Sequence, residues 1–175
     1  CQMQLNRRDF LRTAATTGAG ALLSRGLGAQ EAAAKAKDEI TVALVGIGNQ
    51  GLKLLEYAYK IPGVRFVAVC DIWEKQNLKR GRNYLRAQLK RKGKTKEAEG
   101  IASYIDYREM LAQEKDLDAV IVATPDFWHA EHAVACLEAG KHVYCEKEMA
   151  QSLESCRKMV AAGKKSDKMF QIGHQ

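Results

Sequence analysis

Short apolar runs alternate along the chain with segments in which apolar residues recur every three or four positions. The runs are typical of strands buried on both faces, and the recurring residues are typical of helices packed along one side. The strand-like runs occupy Ile40–Val45, Val64–Val69, Ser103–Ile105, Leu117–Ala123, His142–Cys145 and Met169–Ile172. Strands that alternate with helices predict an α/β fold, a doubly wound parallel sheet of about six strands with right-handed crossovers.

Glycine and proline mark the predicted ends of the helical segments. The helices are the segment after Gly51, Trp73–Lys92, Tyr107–Gln113, Phe127–Ala139 and Leu153–Ala162. We expect Ile61-Pro62-Gly63 to end the first helix, and Gly140 and Gly163 to end the last two. The stretch Gly93–Gly100 is predicted to be a charged loop.

The first strand-like run ends in a glycine-rich turn. Gly46, Gly48 and Gly51 have the spacing G-x-G-x-x-G, with Asn49 and Gln50 before the last glycine. The first glycine permits a tight turn, the second lets the backbone approach a pyrophosphate, and the third lets helix and strand pack closely. A helix N-terminus there offers free N–H groups to an anion. These five residues are therefore predicted to bind a dinucleotide on a Rossmann fold.

A carboxylate follows the second strand-like run. Asp71 lies twenty residues after Gly51, where a carboxylate can accept hydrogen bonds from the adenosine ribose of a dinucleotide. The same charge would repel the 2′-phosphate of NADP, so the sequence predicts NAD in preference to NADP. The alternative is that Asp71 only caps the following helix.

The net charge of +7 is concentrated in one segment. Lys75–Lys96 contains ten Lys or Arg and no acid, whereas the chain after residue 30 is otherwise net acidic. Leu78, Tyr84, Leu85 and Leu89 mark a buried side of this helix, so we expect the bases to form a solvated face. We predict no nucleic-acid partner; a surface for an anionic partner is the alternative.

Cysteines and histidines do not predict a metal site. The five cysteines form no C-x-x-C pair and are expected to pack as small apolar residues. His129 and His132 are three apart and could share a helix face, but no third ligand follows at a zinc spacing.

The first thirty residues have the pattern of an export signal. Asn6–Arg12 contains twin arginines followed by Phe10-Leu11, and a mildly apolar stretch and small residues follow. This segment resembles a Tat signal peptide. We expect residues 1–30 to be removed, residues 31–39 to be a lead-in, and the mature protein to be periplasmic or secreted without a membrane anchor. A basic amphipathic arm is the alternative.

Two further motifs carry a resemblance to a known family. Residues 120–130 read Val-Ile-Val-Ala-Thr-Pro-Asp-Phe-Trp-His-Ala, and residues 139–147 read Ala-Gly-Lys-His-Val-Tyr-Cys-Glu-Lys. With the glycine turn, Asp71, residues 106–111 and the closing residues 172–175, they resemble the Gfo/Idh/MocA family of glucose-fructose oxidoreductase, inositol dehydrogenase and their relatives. The resemblance covers nearly everything after residue 38.

The resemblance implies roles for individual residues. It places Thr124, Pro125 and His129 beside the cofactor, and it matches Glu146 and Lys147 to a Glu-Lys-Pro motif whose lysine reaches the nicotinamide ribose and the substrate hydroxyl. An ammonium at that hydroxyl would stabilise the negative charge that develops as the hydride leaves, so Lys147 is the predicted catalytic residue. A surface lysine after a strand is the alternative.

Position 148 departs from the family motif, because it is Glu rather than Pro. The ring that would fix the backbone after Lys147 is therefore missing, and a carboxylate that favours the charged ammonium is added.

The resemblance also implies a wider organisation. Family members pair this nucleotide domain, here residues 40–175, with a C-terminal α/β domain that binds a sugar or polyol; we expect that substrate domain to be absent from this chain. The predicted function is hydride transfer between NAD and a sugar or polyol. One alternative is an NAD-dependent glycosidase of the same family, and another is a module that binds nucleotide without turnover. A homo-oligomer is expected only together with the C-terminal domain.

Overall fold

The computed structural model of the protein describes residues 39–174. Within them the strands are β1 (Ile40–Val45), β2 (Val64–Cys70), β3 (Ala102–Tyr104), β4 (Ala119–Val122), β5 (His142–Glu146) and β6 (Phe170–Gly173). The helices are α1 (Asn49–Ala58), α2 (Lys79–Arg91), α3 (Thr95–Glu99), α4 (Tyr107–Gln113), α5 (Asp126–Glu138) and α6 (Leu153–Lys165), and a π-helical turn, Glu74–Leu78, leads into α2.

The six strands form one parallel sheet in the order β3-β2-β1-β4-β5-β6. This confirms the predicted doubly wound α/β fold. The chain moves outward from β1 to β3 and then returns to place β4 on the other side of β1. A crevice therefore opens between β1 and β4 at the carboxyl ends of the strands, which is where ligands of such sheets bind.

Two apolar layers cover the sheet because neighbouring residues of a strand point to opposite faces. Val42 and Leu44 of β1 pack with buried residues of α1 and α2, whereas Ala43 and Val45 pack with buried residues of α4, α5 and α6. Both faces of β1 are thus covered, which explains its uninterrupted apolar sequence.

Two local predictions are wrong. Helix α6 continues past Gly163 to Lys165, and a Cβ at Gly163 would lie 3.0 Å from the Phe170 ring, so this glycine allows close packing against β6 instead of ending the helix. The predicted loop Gly93–Gly100 contains α3, which is anchored by the buried Ala98. A single apolar residue among charges gave no helical periodicity.

The predicted signal peptide, residues 1–30, lies outside the described residues, as does most of the lead-in. The proposed limits of the signal, the lead-in and the nucleotide domain remain predictions. Among residues 39–174, no helix has both the length and the apolar character needed to span a membrane.

Candidate functional site

The glycine turn joins β1 to α1 with almost no room for side chains. Gly46 has a φ of 89°, and a Cβ there would lie 2.7 Å from the backbone of Ala123 and Thr124. A Cβ at Gly51 would overlap the Gly46 carbonyl oxygen. At Gly48, by contrast, a Cβ would meet nothing within 4 Å, and this residue immediately precedes α1. The turn is closed on its protein side and open at Gly48.

A cavity of about 970 Å³ lies at the carboxyl ends of the strands. Seven of the predicted site residues line it: Gly46, Gly48, Asn49, Gln50, Asp71, Thr124 and Pro125. The remaining four are neighbours of lining residues: Gly51 follows Gln50, His129 follows Trp128, Glu146 contacts Gln50, and Lys147 follows Glu146. The fold thus brings these eleven residues to one edge of the sheet.

Asp71 is 8% exposed, and its carboxylate is hydrogen-bonded to the backbone of the glycine turn. One carboxylate oxygen accepts hydrogen bonds from the Ile47 N–H at 2.7 Å and from Asn77 Nδ2 at 3.3 Å, and the other accepts from the Trp73 N–H at 2.8 Å. The bond from Trp73 is local, but it does not cap the following helix, whose N-cap is Trp73 itself and has no side-chain cap bond. Carboxylate oxygens can accept further bonds, and Asp71 also borders the cavity, so these contacts leave room for a ligand.

Apolar side chains that the sequence analysis did not assign to the site form much of the cavity wall. They are Ile72, Trp73, Ile105, Phe127 and Trp128, all of which are exposed. Each follows the end of a strand or begins the next helix, a position that could have identified it. A flat, apolar wall of this kind suits a planar heterocycle.

His132 lines the cavity next to this wall as a neutral imidazole. Its ring stacks on Trp128 at 5.8 Å between centroids, and Tyr107 packs edge-on at 4.5 Å. Burial lowers the pKa of His132 to about 4, and Nδ1 lies 3.1 Å from Thr124 Oγ1. The ring therefore carries no charge near neutral pH and serves as an aromatic support.

Beside it, Glu131 binds two residues of the cavity wall. It accepts hydrogen bonds from Arg108 at 2.5 Å and from the Tyr107 hydroxyl at 3.0 Å, and burial, followed by the bond to Glu131, raises the pKa of Tyr107 to about 12. The phenol is therefore neutral and acts as a donor. These contacts tie the start of α4 to α5.

His129 joins the loops that follow β4 and β5. Its ring is 1% exposed. Nε2 lies 2.8 Å from the Thr124 carbonyl oxygen, and Nδ1 lies 2.6 Å from the Glu148 carbonyl oxygen. Both ring nitrogens are therefore engaged by backbone.

Glu146 and Lys147 differ in exposure although they are adjacent. Glu146 is 4% exposed and accepts hydrogen bonds from Gln50 Nε2 at 3.1 Å and from the Tyr144 hydroxyl at 3.2 Å. The Lys147 side chain is 52% exposed, and its Nζ lies 3.5 Å from Glu148 Oε1. The end of β5 thus presents one accessible ammonium beside a buried, anchored carboxylate.

Between residues 39 and 174, no group of three or more His, Cys, Asp or Glu side chains is placed to hold a metal ion.

Comparison with protein families gives two matches. Residues 40–174 match the model of an oxidoreductase family with an NAD-binding Rossmann fold, designated GFO_IDH_MocA. Residues 4–24 match the model of the twin-arginine translocation pathway signal sequence.

Curated relatives include two glycosyl hydrolase family 109 proteins. The protein from Solibacter usitatus is 32% identical over 160 residues, and the one from Shewanella pealeana is 30% identical over 181 residues. The matches cover 89% and 95% of this chain but 35% and 38% of the relatives. The chain therefore spans little more than a third of the length of these relatives.

Solved structures with the same fold include two dehydrogenases. Myo-inositol 2-dehydrogenase from Lactobacillus plantarum has a TM-score of 0.64 and 26% identity, over 77% of this chain and 36% of that one. The WlbA dehydrogenase from Chromobactrium violaceum, solved with NADH and UDP-GlcNAcA, has a TM-score of 0.60 and 32% identity, over 79% of this chain and 36% of that one.

Proposed function

Because the chain belongs to the Gfo/Idh/MocA family of oxidoreductases, we propose that it is the nucleotide-binding part of an exported enzyme that transfers a hydride between NAD and a sugar or polyol. The observation that carries the proposal is the arrangement of one edge of the sheet: a glycine turn open at Gly48, the carboxylate of Asp71 beside it, and the accessible ammonium of Lys147 at the end of β5.

The residues at this edge fit a dinucleotide. The N–H groups at the start of α1 suit a pyrophosphate, and the space above Gly48 lets it approach the backbone. Asp71 borders the cavity, where its carboxylate would accept hydrogen bonds from the adenosine ribose and its charge would disfavour a 2′-phosphate, which supports the proposal of NAD over NADP. The apolar wall formed by Trp73 and Ile105 suits the adenine ring.

Lys147 is the proposed catalytic residue. When bound, the nicotinamide supplies the hydride acceptor. The Lys147 ammonium would donate a hydrogen bond to the reacting hydroxyl and stabilise its oxygen as negative charge develops, an effect worth about 3 kcal/mol for a well-placed donor. The hydroxyl proton needs a separate acceptor, which we assign to a substrate domain of the kind that family members carry. On this assignment the nucleotide domain by itself, residues 40–175, binds nucleotide without turnover.

A glycosidase is the second candidate, and the two curated relatives favour it because both are glycosyl hydrolase family 109 proteins. In such a reaction a sugar hydroxyl is oxidised transiently and then reduced again, so NAD is regenerated and a free sugar is released. Product analysis separates the candidates: the oxidoreductase accumulates NADH and an oxidised sugar, whereas the glycosidase returns its cofactor oxidised.

The Tat signal supports export across the cytoplasmic membrane, and we propose the periplasm or the outside of the cell as the destination. This route carries folded proteins, so the nucleotide could be acquired before export.

The nucleotide proposal is tested by titrating the 175-residue chain with NADH and following NADH fluorescence. Gly48→Val should fold like the wild type, since the added side chain meets open space, but should weaken NADH binding by about a hundredfold or more because it fills the pyrophosphate position. Gly100→Ala, whose Cβ would make ordinary contacts of 3.5 Å, is the matched control and should bind NADH normally. Unchanged affinity in Gly48→Val would contradict the proposed site.

A further inference from the structure

Lys147 is held from both sides by residues that belong to other parts of the site. On one side the buried Glu146 accepts a hydrogen bond from Gln50, in the first turn of α1. On the other side the Glu148 carbonyl oxygen contacts His129, in the first turn of α5. The residues before and after the exposed Lys147 are therefore each bonded to the start of a helix that borders the cavity.

We propose that His129 is a positioning residue for Lys147. By binding the Glu148 carbonyl, it fixes the backbone next to Lys147 and so directs the Lys147 side chain toward the cofactor. The inference rests on the proposed function, in which Lys147 lies beside the nicotinamide ribose. It differs from direct cofactor contact, because both nitrogens of the buried His129 ring are engaged by carbonyl oxygens.

The direction of these hydrogen bonds fixes what His129 does. Carbonyl oxygens only accept, so the ring must donate: a neutral imidazole has one N–H and can donate to only one of the two carbonyls, whereas a protonated ring donates to both. We assign an N–H to Nδ1, which makes the shorter contact, 2.6 Å, with the Glu148 carbonyl oxygen. A buried carbonyl that loses its donor is destabilised, and the loop that carries it shifts toward another partner or toward water. The ring therefore favours the loop conformation in which the Glu148 carbonyl points inward.

The chemistry of position 148 explains why such a contact is needed. A proline would restrict the backbone after Lys147, and glutamate does not. A second link, Gln151 Nε2 to Asp126 Oδ1 at 3.0 Å, joins the same loop to the start of α5. This second contact is exposed, so the part-buried bond to His129 is the stronger restraint on the residue after Lys147.

Accessibility of Lys147 provides a test that does not require a known substrate. The 175-residue chain is treated with acetic anhydride with and without NADH, and the acetylation rate of each lysine is measured by mass spectrometry. NADH is kept at about ten times the Kd of each variant, which slows the modification of a covered amine about tenfold. Lys158, which is exposed on α6, serves as a reference that NADH should not protect.

We expect NADH to protect Lys147 about tenfold in the wild type and less than about twofold in His129→Phe, because loss of the donor shifts the loop population about tenfold. The Kd for NADH should change by less than about threefold, since the glycine turn and Asp71 are unaltered. General structural damage would not produce this separation between affinity and protection.

The matched control is His142→Phe. Its ring accepts a hydrogen bond from the Met169 N–H at 2.9 Å, at the opposite end of β5. This variant should keep the wild-type protection of Lys147.

Full protection of Lys147 in His129→Phe would overturn the proposal. If that variant does not fold, as judged by thermal unfolding, the smaller His129→Leu, which also lacks a donor, replaces it with the same expectation. Failure of both to fold would show that His129 supports the whole domain, and the proposal would be wrong. Failure of the wild-type chain to bind NADH is a separate result that overturns the proposed function together with this inference.

Discussion

The carboxylate of Asp71 accepts a hydrogen bond of 2.7 Å from the backbone N–H of Ile47. This bond joins the end of β2 to the glycine turn that follows β1. Because Asp71 also borders the cavity, one side chain shapes the turn and faces the position proposed for the ribose. Stability and cofactor choice should therefore change together when Asp71 is altered.

We predict that Asp71→Asn reduces the preference for NADH over NADPH about tenfold, because the charge that repels a 2′-phosphate is lost. The free energy of unfolding should fall by about 1–2 kcal/mol as charge-assisted bonds become neutral. Titration with both nucleotides and urea denaturation measure the two effects. Asp167→Asn, at an exposed position far from the glycine turn in sequence, should change neither by a comparable amount. Tighter binding of NADPH than NADH by the wild type would contradict the assignment of NAD.

Lys147→Ala is expected to lower turnover about 10²–10³-fold in a protein that carries this chain together with a substrate domain, because the developing negative charge loses its donor. The Kd for NADH should stay within about threefold of the wild-type value, since the glycine turn and Asp71 remain. Steady-state kinetics and NADH titration test the two parts. Lys158→Ala, which removes an exposed ion pair with Glu154, is the control and should behave as wild type. Undiminished turnover in Lys147→Ala would remove the residue from the mechanism.

The His132 pKa predicts a pH dependence of stability. Burial lowers this pKa from 6.5 to about 4 in the folded protein, so the unfolded state binds the proton more tightly. The folded state should therefore lose stability as the pH falls from about 6.5 to about 4, by up to about 3 kcal/mol. Urea denaturation across this range measures the loss. His132→Asn should show a shallower dependence than the wild type, and identical slopes would exclude His132 as the source.

Export depends on the twin arginines. Replacing Arg7 and Arg8 together by Lys should leave the protein in the cytoplasm, because the export machinery reads this pair. Cell fractionation with an immunoblot shows the location. Arg25→Lys keeps the charge outside the motif and should be exported normally. If the double variant reaches the same compartment as the wild type, the proposed route is wrong.

The fold was predictable because its signals are local. Strand β1 has the predicted limits, Ile40–Val45, and α4 has the predicted limits, Tyr107–Gln113. In both, burial pattern and turn residues agree. Gly163 misled the prediction because a glycine that ends a helix and one that lets a helix pack against Phe170 look alike in sequence.

The positions of Asp71 and Thr124 at the cavity could be predicted because both residues follow strands; their roles stay predictions. Phe127 and Trp128 were not predicted to be site residues because their apolar side chains match the periodicity of a buried helix face. Both are in fact exposed at the cavity. The contact between His129 and the Glu148 carbonyl joins positions 19 apart through the packing of α5 against the loop after β5. The spacing of the two residues in the sequence does not indicate such a contact.

The close approach of Gly46 to the backbone of Ala123 and Thr124 has a consequence for how this family can diverge. The floor of the crevice is built from main-chain atoms, which every amino acid supplies alike. Many of the side chains around it can be exchanged while the floor keeps its shape, provided that positions 46 and 51 stay without one. A dehydrogenase with 26% identity can therefore share this scaffold, and new substrates can be recruited at the rim without rebuilding the base.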